Sequence, residues 1–204
     1  MSNNFAKDTD TELWQAFKNG NEPAYEYIYH TYSPSLFNYG RHITKDKQLV
    51  EDCVHDLFVH LHSHRTTLGN TDSIKYYLFK CLKRRIAENV EIQSRYLGEL
   101  TGKEEYEFEL IPSPELQLIE YQCAHSQNTE LLKAMNLLPK RQREVLYLIY
   151  FNNLSYKETA DIMSLEVRTV YNQIYNALET LRKNLNKSHS FLFIALLILT
   201  YFFY

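Results

Sequence analysis

Glycine and proline are scarce, five of each in 204 residues, which argues against the turn-rich pattern of an all-β fold. Cysteine is scarcer still. Cys53, Cys81 and Cys123 lie far apart, are odd in number and form no CxxC pair. That excludes a disulfide framework and a zinc ribbon, and it suits a reducing cytosol. There is no HExxH, no phosphate-cradling glycine loop and no nucleophile arrangement, so no catalytic residue, metal or cofactor is expected. Internal repeats are absent, and the opening MSNNFAKDTD is polar, unlike a signal peptide. What the chain does hold is 45% apolar residues, with Leu, Tyr, Lys and Glu in long periodic runs. Those runs predict an all-α fold with enough apolar material to bury a core.

The most specific pattern runs from Leu154 to Leu185. Ser155 followed by Glu158 has the spacing of a capping box, which predicts a short helix from Tyr156 to about Met163. Ala160 is small enough to admit a close second helix, and a turn is expected near Ser164 and Leu165. Beyond it, Val167, Val170, Ile174, Leu178 and Leu181 recur every three or four residues and share one face. At ~100° per residue the opposite face carries Arg168, Thr169, Asn172, Gln173 and Asn176. One guanidinium, a hydroxyl and three amides are side chains that reach base edges and phosphates in a major groove. A helix-turn-helix that contacts duplex DNA is the expectation; the plain alternative is a solvated face on a helical hairpin.

The net charge of −3 is unevenly spread. Residues 1–96 hold 12 Lys and Arg against 12 Asp and Glu, 97–125 hold 1 against 7, and 126–204 hold 9 against 6. The expected layout is therefore two helical domains, 1–96 and 126–187, an acidic linker over 97–125 and an apolar tail, 188–204. In the first domain the periodicity predicts helices opened by Leu13, Trp14 and Phe17, by Asn21-Glu22-Pro23, at Pro34, from Lys47 to His62 after Asp46, and from Ile74 to about Arg95. Residues 64–72 read as a loop, with an N-cap at Asp72 or Ser73. Pro112 and Pro114 oppose helix in the linker, whereas Pro139 suits the first turn of a helix.

A resemblance then emerges. Leu138-Pro139 with Arg143-Glu144-Val145, then Ser155 to Ala160, then Val167 to Val170, resembles domain four of the sigma-70 factors of RNA polymerase. Independently, Phe17 to Glu22 and Glu51 to Phe58 are similar to domain two, in the order that family has. The two-domain form resembles its extracytoplasmic-function group. The resemblance implies promoter-specific transcription initiation, with core RNA polymerase and promoter DNA as partners and an anti-sigma factor as a further one. It implies that Asp52, His55, Asp56 and Phe58 dock on the polymerase, His55 standing where glutamine is usual. Lys80, Lys83 and Arg84, interleaved with aromatics, would hold the opened strand of the minus-ten element beside the loop of residues 64–72. Tyr77, Phe79 and Leu82 read better as core. Arg168, Thr169, Asn172, Gln173 and Asn176 would read the minus-thirty-five element while Arg141 and Arg143 hold phosphates. Ser164 stands where that family commonly has glycine, and Glu166 where it often has Ser or Thr.

Three features fit less directly. Asp56, His60 and His64 fall at i, i+4 and i+8, but lack a fourth ligand for a metal. The tail, FLFIALLILTYFFY, would span ~21 Å as helix against a ~30 Å hydrocarbon core. It reads as a plug on protein, an interfacial anchor or a short tail anchor, so the expected location is the cytoplasm with or without membrane contact. Two rival functions are an ordinary helix-turn-helix regulator and a tail-anchored protein-binding adaptor.

Overall fold

The computed structural model describes Phe5 and residues 9–96, 108–111 and 133–184. Among them there is no β-strand. The chain divides into two units between Glu107 and Phe108.

In the first unit, α1 (Asp10–Lys18) opens on a capping box in which Thr9 and Glu12 satisfy each other's backbone. It closes at Gly20, whose φ of +86 places it in the left-handed region glycine tolerates. The Asn21 amide then bonds back to the Ala16 carbonyl, and the Asn21 side chain caps α2 (Glu22–Ile43) through the Ala24 amide. Two helices thus meet at a single residue. Asp46 caps α3 (Lys47–His64), accepting from the Leu49 amide at 3.0 Å. The start of α4 (Ile74–Tyr96) is held from outside: Asp10 Oδ2 accepts from the Ile74 amide at 2.7 Å. A carboxylate there also complements the helix dipole. Asp10 and Glu12 are therefore divided between two helix starts.

The expected break at Pro34 is corrected: α2 runs straight through it. Pro34 and His30 are both exposed, so the carbonyl that loses its partner faces water. Burial of Ile28 before the proline and of Leu36 and Tyr39 after it holds the helix together. α2, α3 and α4 pack on one another, with α1 against α2 and α4. At Gly40 an added Cβ would lie 2.6 Å from Val50 Cγ1, so α2 and α3 approach as closely as backbone allows. Trp14 fills the centre, in ring contact with Phe17 and Tyr77.

In the second unit a helical stretch through residues 133–136 leads to Pro139 and α5 (Lys140–Leu146). A π-helical turn, Tyr147–Phe151, follows, and the buried Asn152 side chain donates its Nδ2 to the Tyr147 carbonyl at 3.2 Å. Next come α6 (Tyr156–Ile162) and α7 (Val167–Asn184), with α7 packed along α5 and α6.

The acidic linker expected over 97–125 lies outside the described residues except for 108–111, and these four are no free tether. Phe108 and Leu110 are buried, and Phe108 meets the Tyr147 ring edge-on at 5.7 Å. The Asn136 side chain pairs with both the amide and the carbonyl of Leu110, each at 3.1 Å. Alternating apolar residues in an extended stretch bury one side, which acidic composition alone did not suggest. The helical pattern that the periodicity predicts from Glu115 through Leu138 lies outside the described residues up to Leu132, as do Cys123 and the tail. Among the described residues no helix is long and apolar enough to cross a membrane.

Candidate nucleic-acid interface

The helix-turn-helix is built from local signals. The Ser155 amide and hydroxyl both donate to Glu158 Oε2, at 2.7 and 2.6 Å, and Ser155 Oγ accepts from the Glu158 amide. Seven residues later the helix stops in a two-bond reversal. The Leu165 amide reaches the Ala160 carbonyl at 2.8 Å, and the Ser164 amide reaches the Asp161 carbonyl at 3.2 Å. Ser164 takes the left-handed conformation, φ +54, so the turn has the geometry that glycine supplies without strain. Ser164→Gly is accordingly expected to raise the unfolding free energy by about 1 kcal/mol, read from the denaturant midpoint. A lowered midpoint would mean that the serine side chain contributes more than its backbone strain costs. Glu166 precedes α7, and its carbonyl accepts the first helical amides, Thr169 and Val170.

On α7, Val170, Ile174, Ala177 and Leu181 are buried. Val167, expected inward, is exposed, and the buried stripe of α7 begins at Val170. Arg168, Asn172 and Asn176 face solvent; Thr169 and Gln173 sit half-buried on one flank. Sequence reasoning missed Tyr171 and Tyr175, which are 49% and 68% exposed on the same face. Taking Arg168 as the origin at ~100° per residue, Tyr175 falls within about 20° of it, so the signal was in the periodicity. The two rings share that face with the polar side chains.

The two arginines of α5 divide. Arg141 is exposed. Arg143 turns inward instead of toward solvent, its Nη1 donating to the Asn136 carbonyl at 3.0 Å. It closes the end of the preceding helix, a role that cations at helix C-termini fill.

In the first unit, α3 buries Cys53, Val54, Leu57, Phe58 and Leu61. Asp52, His55 and Asp56 are exposed and share the opposite face with Val59 and His60. Phe58 is not at that face. It is 2% exposed, edge-on to the Tyr29 ring at 4.8 Å, with Tyr25 donating its hydroxyl to the Phe58 carbonyl. The exposed apolar group beside the carboxylates is Val59. His60 and His64 stack at 4.2 Å. Partial burial, then the His64 ring and the Arg85 and Arg84 guanidinium groups, hold His60 below the usual histidine range. Among the described residues no three His, Cys, Asp or Glu side chains converge for a metal.

The loop after α3 is pinned to the core. Trp14 Nε1 donates to the Gly69 carbonyl at 2.8 Å, and Asn70 Oδ1 accepts from Gln15 Nε2 and Lys18 Nζ, both at 2.9 Å. Beside it, α4 exposes Lys80 and Arg84, with Lys83 half-buried. Lys80 lies over the Tyr76 ring, and Arg84 makes an exposed pair with Glu88 at 3.6 Å. Such a pair adds little stability. Phe79 and Leu82 are fully buried, and Tyr77 packs on Trp14. Burial pushes the Cys53 and Cys81 thiols up, which keeps both protonated near neutral pH.

The described residues form two helical units, one a capped helix-turn-helix and the other a helical core carrying an acidic face and a basic helix, the build of a helix-turn-helix DNA-binding protein. Comparison with known proteins sharpens the class. Residues 28–96 match Sigma-70 region 2, and residues 128–181 match Sigma-70, region 4. The chain is similar to the ECF RNA polymerase sigma factor SigM of Bacillus subtilis, 26% identical over 165 residues, covering 78% of this chain and 94% of that one. It is also similar to the sigma factor SigV of the same organism, 27% identical over 121 residues, 59% of this chain and 66% of that one. Two solved structures share the fold. One is the sigma factor RpoE in complex with the anti-sigma factor NepR from Bartonella quintana, with TM-score 0.56, 19% identity, and coverage of 78% of this chain and 95% of that one. The other is CnrH in complex with the cytosolic domain of CnrY, with TM-score 0.54, 20% identity, and coverage of 86% and 96%. The chain belongs to the sigma-70 family, in its extracytoplasmic-function group, and acts in promoter-specific transcription initiation with core RNA polymerase.

Proposed function

We propose a division of labour between the two units. On α7, Arg168, Asn172 and Asn176 read base edges of the upstream promoter element, with Thr169 and Gln173 along the flank and Arg141 on a phosphate. Arg143 keeps its internal partner and acts by holding α5 in place. On α3, Asp52, His55 and Asp56 dock on the polymerase, with Val59 supplying the apolar contact first assigned to Phe58. Lys80, Lys83 and Arg84 neutralise the backbone of the opened strand beside the pinned loop. The protein works in the cytoplasm, where an anti-sigma partner binds it, as NepR is in complex with RpoE in one of the similar solved structures.

The observation that carries the reading is the outward face of α7, where one arginine and two short amides stand free of any role in packing. Arginine pairs bidentately with guanine and asparagine with adenine, each pair supplying ~1–3 kcal/mol of base discrimination. In reconstituted transcription with core polymerase, Arg168→Ala is therefore expected to lower initiation about tenfold or more on a promoter selected by the intact chain. Binding to core should be unchanged. Full activity of the variant would end the assignment of α7 as the reading helix.

A further inference from the structure

We infer that Tyr175 is a specificity-determining residue of this helix-turn-helix, its ring reading a thymine methyl group between the bases that Asn172 and Asn176 address. The inference rests on the reading of α7 just given and deepens it. Three observations bear on it. Tyr175 stands two turns after Arg168 on the same line of the helix, between Asn172 and Asn176, near the middle of the solvent-facing arc. Its side chain is 68% exposed, more than any other large apolar side chain of this helix, so the fold gains little from it. Its neighbour Tyr171 is engaged: that ring stacks on Tyr156 at 4.2 Å and 17°, tying α7 to the first turn of α6. The stack leaves Tyr175 as the less covered aromatic ring on the face.

The chemistry then narrows the target. In the major groove a tyrosine ring among arginine and asparagine meets two kinds of surface, polar base edges and the C5-methyl of thymine. The polar edges are matched by Arg168, Asn172 and Asn176, whose donors and acceptors fit guanine and adenine. The methyl is the one apolar group the groove presents, and apolar side chains recognise it. A ring braced on a rigid helix makes that contact at small entropic cost, since tyrosine has only two side-chain torsions. Tyr171, held against α6, borders the same surface and fixes how the two helices present it.

Replacing thymine with uracil removes that methyl and nothing else. The full chain, bound to core polymerase, is tested on a promoter it selects from a random pool, with each thymine of the upstream element changed to uracil in turn. At one position the intact protein is expected to lose about fourfold in affinity, the value of one buried methyl-sized group. Tyr175→Ala should bind the thymine promoter about fourfold more weakly and be indifferent to that uracil. Tyr175→Phe should keep the uracil penalty, because the ring and not the hydroxyl makes the contact. The inference is overturned if Tyr175→Ala is as sensitive to every uracil as the intact chain, or if Tyr175→Phe loses the penalty. Arg168→Ala separates the two levels: if it weakens promoter binding while Tyr175→Ala does not, this inference falls and the role of α7 stands. If neither variant matters, both fall.

Discussion

Trp14→Ala is expected to lower the stability of the first unit by about 3–5 kcal/mol, the range for emptying an aromatic-sized site in a packed core. Trp14 is fully buried and makes ring contacts with Phe17 at 5.3 Å and Tyr77 at 5.2 Å. It also donates to the Gly69 carbonyl, so the same change removes one of the bonds that hold the loop after α3, the Asn70 bonds remaining. Against a typical total of ~5–15 kcal/mol, the loss is a large fraction of what holds a domain folded. Trp14→Phe separates the two contributions. It keeps most of the buried ring and loses the donor, leaving a part-buried carbonyl unpaired at a cost of ~1–3 kcal/mol. Urea unfolding followed by circular dichroism, with proteolysis at Arg65 as a reporter of the loop, measures both. If Trp14→Phe leaves cleavage at Arg65 unchanged, the hydrogen bond to Gly69 is not what pins the loop.

Reversing both carboxylates of α3, Asp52→Lys with Asp56→Lys, is expected to weaken association with core polymerase about a hundredfold, as for loss of hydrogen-bonded charges across an interface. Both are exposed, one turn apart, on the face opposite the buried stripe. Among the described residues the bond at risk is the one Asp52 Oδ1 accepts from Gln48 Nε2 at 3.0 Å, itself exposed. The unfolding midpoint should therefore move by no more than about 0.5 kcal/mol. The remaining affinity should depend less on salt, because screened attractions have been removed. Undiminished core binding by the double variant would show that the polymerase grips another surface. Val59→Ala is the companion change and tests whether the apolar contact belongs to Val59.

Much of the fold was legible in the residues. Asn21, Asp46 and Ser155 with Glu158 each mark a helix start by a side chain reaching three residues ahead, and each bond is present. The outward positions of Arg168, Asn172 and Asn176 followed from the spacing of Val170, Ile174 and Leu181. Ser164 was recognisable as the turn position, and its left-handed backbone explains why glycine suits that place.

Caps and face periodicity are set by contacts within one or two helical turns, and such contacts are written in consecutive residues. The misplacements involve partners outside the residue's own helix. Phe58 was assigned to a partner's surface, yet Tyr25 and Tyr29, about 30 residues earlier, enclose it. Pro34 stays helical because packing on both sides outweighs one missing hydrogen bond. Arg143 finds the Asn136 carbonyl, and Phe108 and Leu110 find Tyr147 and Asn136. Which apolar or cationic group turns inward depends on what another segment leaves unfilled, and only the packed molecule decides that. From the chain alone came two helical units, caps at Asn21, Asp46 and Ser155, and the polar outward face of α7; from the packing came which side chains were left outside to act.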